Sequence, residues 1–120
     1  MRDVLAPPRE RGHLEIRPRV VDTVGRRAAR GVPGVVRDSV GRIARHDLPG
    51  VSSRVEGGHV RLDVDLAVAW GRPLAAVSAA VQREVANRVR ELTGLVVDAV
   101  DVTVESVVVP PEQSERGRVT

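Results

Sequence analysis

From Val60 the chain alternates strictly: Val60, Leu62, Val64, Leu66, Val68 and Trp70 fall on one face, and Arg61, Asp63 and Asp65 on the other. A period of two over this length predicts a strand with one buried face. The period then changes. Gly71-Arg72-Pro73 breaks the strand, Pro73 suits the opening of a helix, and Leu74, Val77, Val81, Val85, Val89 and Leu92 recur on one side until Thr93-Gly94 stops it. A second alternating strand follows, with Val96, Val100, Val102, Val104 and Val108 on one face and Asp101, Thr103 and Glu105 on the other; Asp98 interrupts the alternation near its start. Gly57 to Val109 is therefore one strand–helix–strand unit.

The first half is patterned less regularly. Gly12 to Ile16 predicts a short first strand, and Arg17-Pro18 opens a helix lined on one side by Val20, Val21, Val24 and Ala28, with Gly31 as its stop. Residues 36–49 carry mixed signals, because Val40, Ile43 and Ala44 allow a helical turn that Gly41 and Pro49 oppose. Val51 to Glu56 forms a strand with Val51 and Val55 inward, and Glu56-Gly57-Gly58-His59 is a hairpin turn, since paired glycines accept the positive φ angles of a primed turn. The expected order is β-α-β-β-α-β. It predicts an α+β, two-layer sandwich of a small mixed sheet with helices on one face, spanning residues 12–109 as a single domain. Pro7-Pro8 and a charged run mark 1–11 as a disordered leader, and Pro110-Pro111 opens a disordered tail, 110–120.

Composition narrows the chemistry. The 120 residues contain no Cys, which excludes a thiol nucleophile, a thiolate metal site and a disulfide frame. Phe and Tyr are also absent, leaving Trp70 as the only aromatic, so Val, Leu and Ala must fill the core. Every cation among the side chains is Arg or His. From Arg17 to Arg45 eight Arg stand against Asp22 and Asp38, a net +6, whereas residues 59–120 hold seven Arg against nine acids, a net −2. This polarity suits contact with an acidic protein, a phosphate backbone or an anionic surface, and its simplest reading is a solvated helix face. No apolar run approaches a bilayer span and the N-terminus has no hydrophobic signal core, so a cytoplasmic protein is expected.

Asp63, Asp65, Asp101 and Glu105 are the best candidates for hard-cation chemistry, because residues i and i+2 of a strand point the same way about 7 Å apart. Alternation alone accounts for them. No His or Lys is positioned to tune an acid–base pair, and solvation or pairing with Arg54 and Arg61 suffices. His13, His46 and His59 lack metal-ligand spacing, and no serine sits in a Gly-x-Ser-x-Gly elbow. Neither catalytic, cofactor nor metal residues are assigned. Gly31-Val-Pro-Gly34 matches a Gly-x-x-Gly nucleic-acid loop, flanked by Arg30 and Arg37. Pro33 removes a backbone donor and no Phe or Tyr offers a stacking platform. A small nucleic-acid-binding module using the Arg17–Arg45 region is therefore the alternative rather than the leading function.

The run Val20–Val35 is similar to the opening helix and turn of the bacterial alkaline shock protein family, also called the envelope stress response family. Val60–Leu74 resembles that family's strand ending in an aromatic-Gly pair before a Pro-started helix, and Arg90–Leu95 with Val100–Val104 resembles its helix end and last strand. Trp70 departs from the more usual Tyr, and the middle loop is short and Arg-rich. The resemblance covers roughly residues 12–109. It implies a non-enzymatic cytoplasmic protein of envelope stress and homeostasis, joined to the membrane through a protein partner, and implies no catalytic residue, cofactor or metal. The expected activity is that of a self-associating scaffold or adaptor without direct membrane insertion. Its expected partner-binding residues are Arg26, Arg27 and Arg30 on the first helix and Asp63, Asp65, Asp101 and Glu105 on the sheet.

Overall fold

Pro18 fixes the backbone for a first helical position and needs no amide partner there. It opens α1 (Pro18–Arg30), which ends at Gly31, whose amide bonds the Ala28 carbonyl. These elements belong to a computed structural model of the protein that describes residues 15–37 and 48–109. α1 buries Val21, Gly25, Ala28 and Ala29. Such small side chains let it lie close to the sheet: a Cβ on Gly25 would stand 3.2 Å from Val51 Cγ1 and 3.3 Å from Leu62 Cδ2.

Strand β1 (Gly50–Glu56) pairs antiparallel with β2 (His59–Ala69) across a turn in which Gly57 and Gly58 have φ of 59° and 81°. Both values are those of a primed hairpin turn, the geometry whose twist matches the strands it joins. Helix α2 (Leu74–Thr93) then carries the chain back to β3 (Val96–Val108), which pairs parallel with β2. A parallel pair requires such a crossover. The sheet order is β1-β2-β3.

Both helices cover one face. Val60, Leu62, Val64, Leu66 and Val68 of β2 are buried there together with Val77, Val81, Val85 and Val89 of α2 and Val21 of α1. Each buried valine or leucine contributes about 1.5–3 kcal/mol of transfer free energy, which makes this face the source of stability. Ser53 anchors α1 to β1 through the Asp22 carboxylate and the Pro18 carbonyl. Gln82 Nε2 of α2 donates to the Val100 carbonyl of β3 at 3.0 Å. The helices run antiparallel: Thr23 and Val24 adjoin Arg88 and Leu92, while Gly31 to Pro33 adjoin Ala80, Arg83 and Glu84. Past α1, Val35 forms an antiparallel bridge with Val68.

The α+β class, the mixed sheet and the one-sided helices agree with the expectation. Of the expected first strand, residues 12–14 lie outside the described residues and Glu15 to Arg17 form no strand. The described order is α-β-β-α-β. Residues 38–47, the leader 1–11 and the tail 110–120 also lie outside them. Five apolar residues expected inward are exposed: Val20 (50%), Trp70 (61%), Leu74, Leu92 (65%) and Val96 (51%). Val20, Leu74 and Leu92 belong to helix ends, and Trp70 follows the last residue of β2.

β3 also departs from simple alternation. Val97 pairs with Val60 but Ala99 with Arg61, and Val104 pairs with Leu66 but Ser106 with Ala67. Asp98 and Glu105 are thus extra residues in the ladder, as in a β-bulge. Each bulge resets the facing. Val96 is thereby placed opposite exposed His59 instead of on the core face, while Val97, Val100, Val102 and Val104 face the helices.

Candidate interaction surfaces

The face of the sheet turned away from the helices is charged and open. Its residues fall into rows fixed by register: Arg54 stands opposite Arg61, Ser52 opposite Asp63, and Gly50 opposite Asp65 on β1 and β2. β3 extends these rows with Ala99 beside Arg61, Asp101 beside Asp63, and Thr103 beside Asp65. All three aspartates are exposed, as are Arg54 and Arg61. Two like-charged pairs, Arg54/Arg61 and Asp63/Asp101, therefore face each other directly, an arrangement that weakens a sheet.

Of the two expected states of these acids, solvation or pairing with Arg54 and Arg61, their exposure fits solvation. Among the described residues the ion pairs within 4.0 Å are His59–Asp98 (2.9 Å) and Arg88–Glu91 (3.8 Å). Glu105 is exposed in the second bulge and has no ladder partner on β2. The four acids thus split: Asp63, Asp65 and Asp101 form one cluster spanning β2 and β3, and Glu105 stands further along the edge strand. No group of three or more His, Cys, Asp or Glu side chains among the described residues is placed to hold a metal ion.

The basic surface lies on the opposite side of the molecule. Arg27 and Arg30 project from the exposed side of α1 and line a shallow concavity with Thr23 and Arg26. Arg26 is only half exposed, and its Nε is buried without a hydrogen-bond partner. Arg27 also borders the groove between the helices, where Arg83 and Arg88 of α2 join it over Ala28, Ala80 and Pro33. Arg83 and Arg88 escape a reading of the first helix alone. Their five-residue spacing turns them ~140° apart around α2 and gives no single-face signal, so only helix pairing brings both to Arg27.

The remaining candidates resolve into structure. In the Gly31–Gly34 loop the amides of Gly31, Val32, Val35 and Val36 donate to the carbonyls of Ala28, Ala29, Val32 and Ala67 at 2.9–3.2 Å, and Pro33 has no amide hydrogen. These four donors are engaged, which leaves the loop few amides to offer a phosphate. His59 Nδ1 donates to Asp98 Oδ1, tying the hairpin to the first bulge of β3; His13 and His46 lie outside the described residues.

A family model for the alkaline shock protein 23 family, described by its cell envelope-related function, matches residues 6–109. No protein of curated function matches the chain in sequence. Among solved structures, the zinc form of a MamM CTD variant is similar with a TM-score of 0.55 and 19% identity, covering 73% of this chain and 84% of that one. The nickel form of the same variant is similar with a TM-score of 0.54 at 19% identity, covering 73% and 96%. At that identity the likeness is one of fold. The family match spans the helices, the sheet and both charged surfaces just described, and the chain belongs to the alkaline shock protein 23 family, whose function is cell envelope-related.

Proposed function

We propose that the protein is a non-enzymatic adaptor of the cell envelope that self-associates, and that its two charged surfaces recruit protein partners. The observation that carries this reading is the open sheet face, where Arg54/Arg61 and Asp63/Asp101 present like charges across strands without ion pairs among the described residues. A stable monomer gains nothing from that arrangement. A partner carrying complementary rows neutralises it. The Arg27/Arg30/Arg83/Arg88 surface offers a second contact, to an acidic protein segment.

No helix among the described residues is long and apolar enough to cross a membrane. In this reading a membrane-anchored protein partner attaches the domain to the envelope from the cytoplasmic side. The test is affinity purification from the native organism with wild type and with an Arg27→Glu/Arg30→Glu/Arg88→Glu variant. These side chains are exposed, so the fold should persist within roughly 0.5 kcal/mol per site. The expected result is an envelope protein recovered with wild type and lost with the variant, both giving the same circular dichroism spectrum. Equal recovery from both contradicts the basic contact.

A further inference from the structure

β3 is one of the two edge strands of the sheet and, at 13 residues, nearly twice the length of the other, the seven-residue β1. Among the described residues its outer edge pairs with no strand. A long edge rich in β-branched residues is a template for another strand. Its helix-side valines are incompletely covered: Val97, Val102 and Val104 are half-buried, and Val107 is 43% exposed.

We propose that the outer edge of β3 pairs antiparallel with β3 of a second copy, about a two-fold axis at Val102, making one six-stranded sheet through the dimer. This rests on the self-association reading above and names its surface. Charge narrows the register. An axis at Asp101 sets Asp101 against its own copy, and an axis at Thr103 sets Asp101 against Glu105 of the second copy. The axis at Val102 puts Asp101 opposite Thr103, Glu105 opposite Ala99 and Asp98 opposite Ser106, so no acid meets an acid. Length selects the same register, because Val102 is the midpoint of Val96–Val108.

Exposed Val96 then meets half-buried Val108, and exposed Val107 meets half-buried Val97. The bulges at Asp98 and Glu105 fall outside the regular block Val100–Val104, which pairs with itself. Bulges protect edges from indiscriminate pairing. Here they confine it to one central register. The contact is isologous and closes on itself as a dimer.

The native chain has no Cys, so single-cysteine variants report the seam cleanly. Directly opposed Cβ atoms of antiparallel strands stand about 4.5–5.5 Å apart, within reach of a disulfide after small adjustment. Val102→Cys should therefore give a covalent dimer on mild oxidation, reversed by dithiothreitol, whereas Asp63→Cys on the sheet face should not. Thr103→Lys should tighten the dimer and Thr103→Asp should loosen it, each by roughly 2- to 30-fold through two symmetric contacts with Asp101, read by sedimentation velocity. Thr103 also neighbours Asp65 in its own chain, so thermal melting accompanies each measurement. Cross-linking at Asp63→Cys without cross-linking at Val102→Cys, or Thr103 variants that shift association in the same direction, overturns the β3 seam while leaving self-association standing. A wild-type monomer at every concentration overturns both.

Discussion

Gly25 sets how closely α1 approaches the sheet. Side chains of Val51, Leu62 and Val85 already surround the place a Cβ would occupy, and a larger residue must displace them or lift the helix. Gly25→Leu should cost about 1–3 kcal/mol by overpacking, measured by urea unfolding. Leu62 and Leu92 look alike in the periodic pattern but differ in place, Leu62 being fully buried and Leu92 exposed. Leu62→Ala should cost about 2–5 kcal/mol and Leu92→Ala no more than roughly 0.5 kcal/mol. Asp63→Asn removes a like-charge opposition and should stabilise the isolated domain by a few tenths to about 1 kcal/mol. A loss of stability there would show that Asp63 has a structural partner.

At the scale of elements, the hairpin and the two helices were legible because their signals are local. Paired glycines, prolines at helix starts and a 3.6-residue recurrence of valines each act over a few positions. At Gly58 φ is 81°, while a Cβ would meet nothing within 4 Å. Gly58→Ala should then cost about 1–2 kcal/mol through backbone conformation alone, seen as a lowered melting temperature. β3 was read less well. Asp98 broke the visible alternation, but Glu105 fitted it, and the second bulge depends on how β2 and β3 align across a twenty-residue helix. That alignment moved Val96 off the core face and left the edge valines half covered. The cationic groove was hidden for the same reason: Arg27, Arg83 and Arg88 converge only when α1 packs antiparallel to α2.

For the whole molecule, one-sided coverage is the decisive feature. Valines of the sheet and both helices form a single core, and the sheet's other face is left to charged rows. The sequence pattern anticipated the polar face and the opposite sign of the first helix, and the structure adds that the acids and arginines of that face do not neutralise each other among the described residues. The molecule therefore offers a basic helical side, a striped sheet side and an open β3 edge, with family membership placing it in cell envelope function. The most direct measurement of its assembly is sedimentation velocity of the wild-type protein over a concentration series from low micromolar upward. The account predicts a boundary that moves from monomer to dimer as concentration rises; a sedimentation coefficient that stays at the monomer value throughout contradicts it.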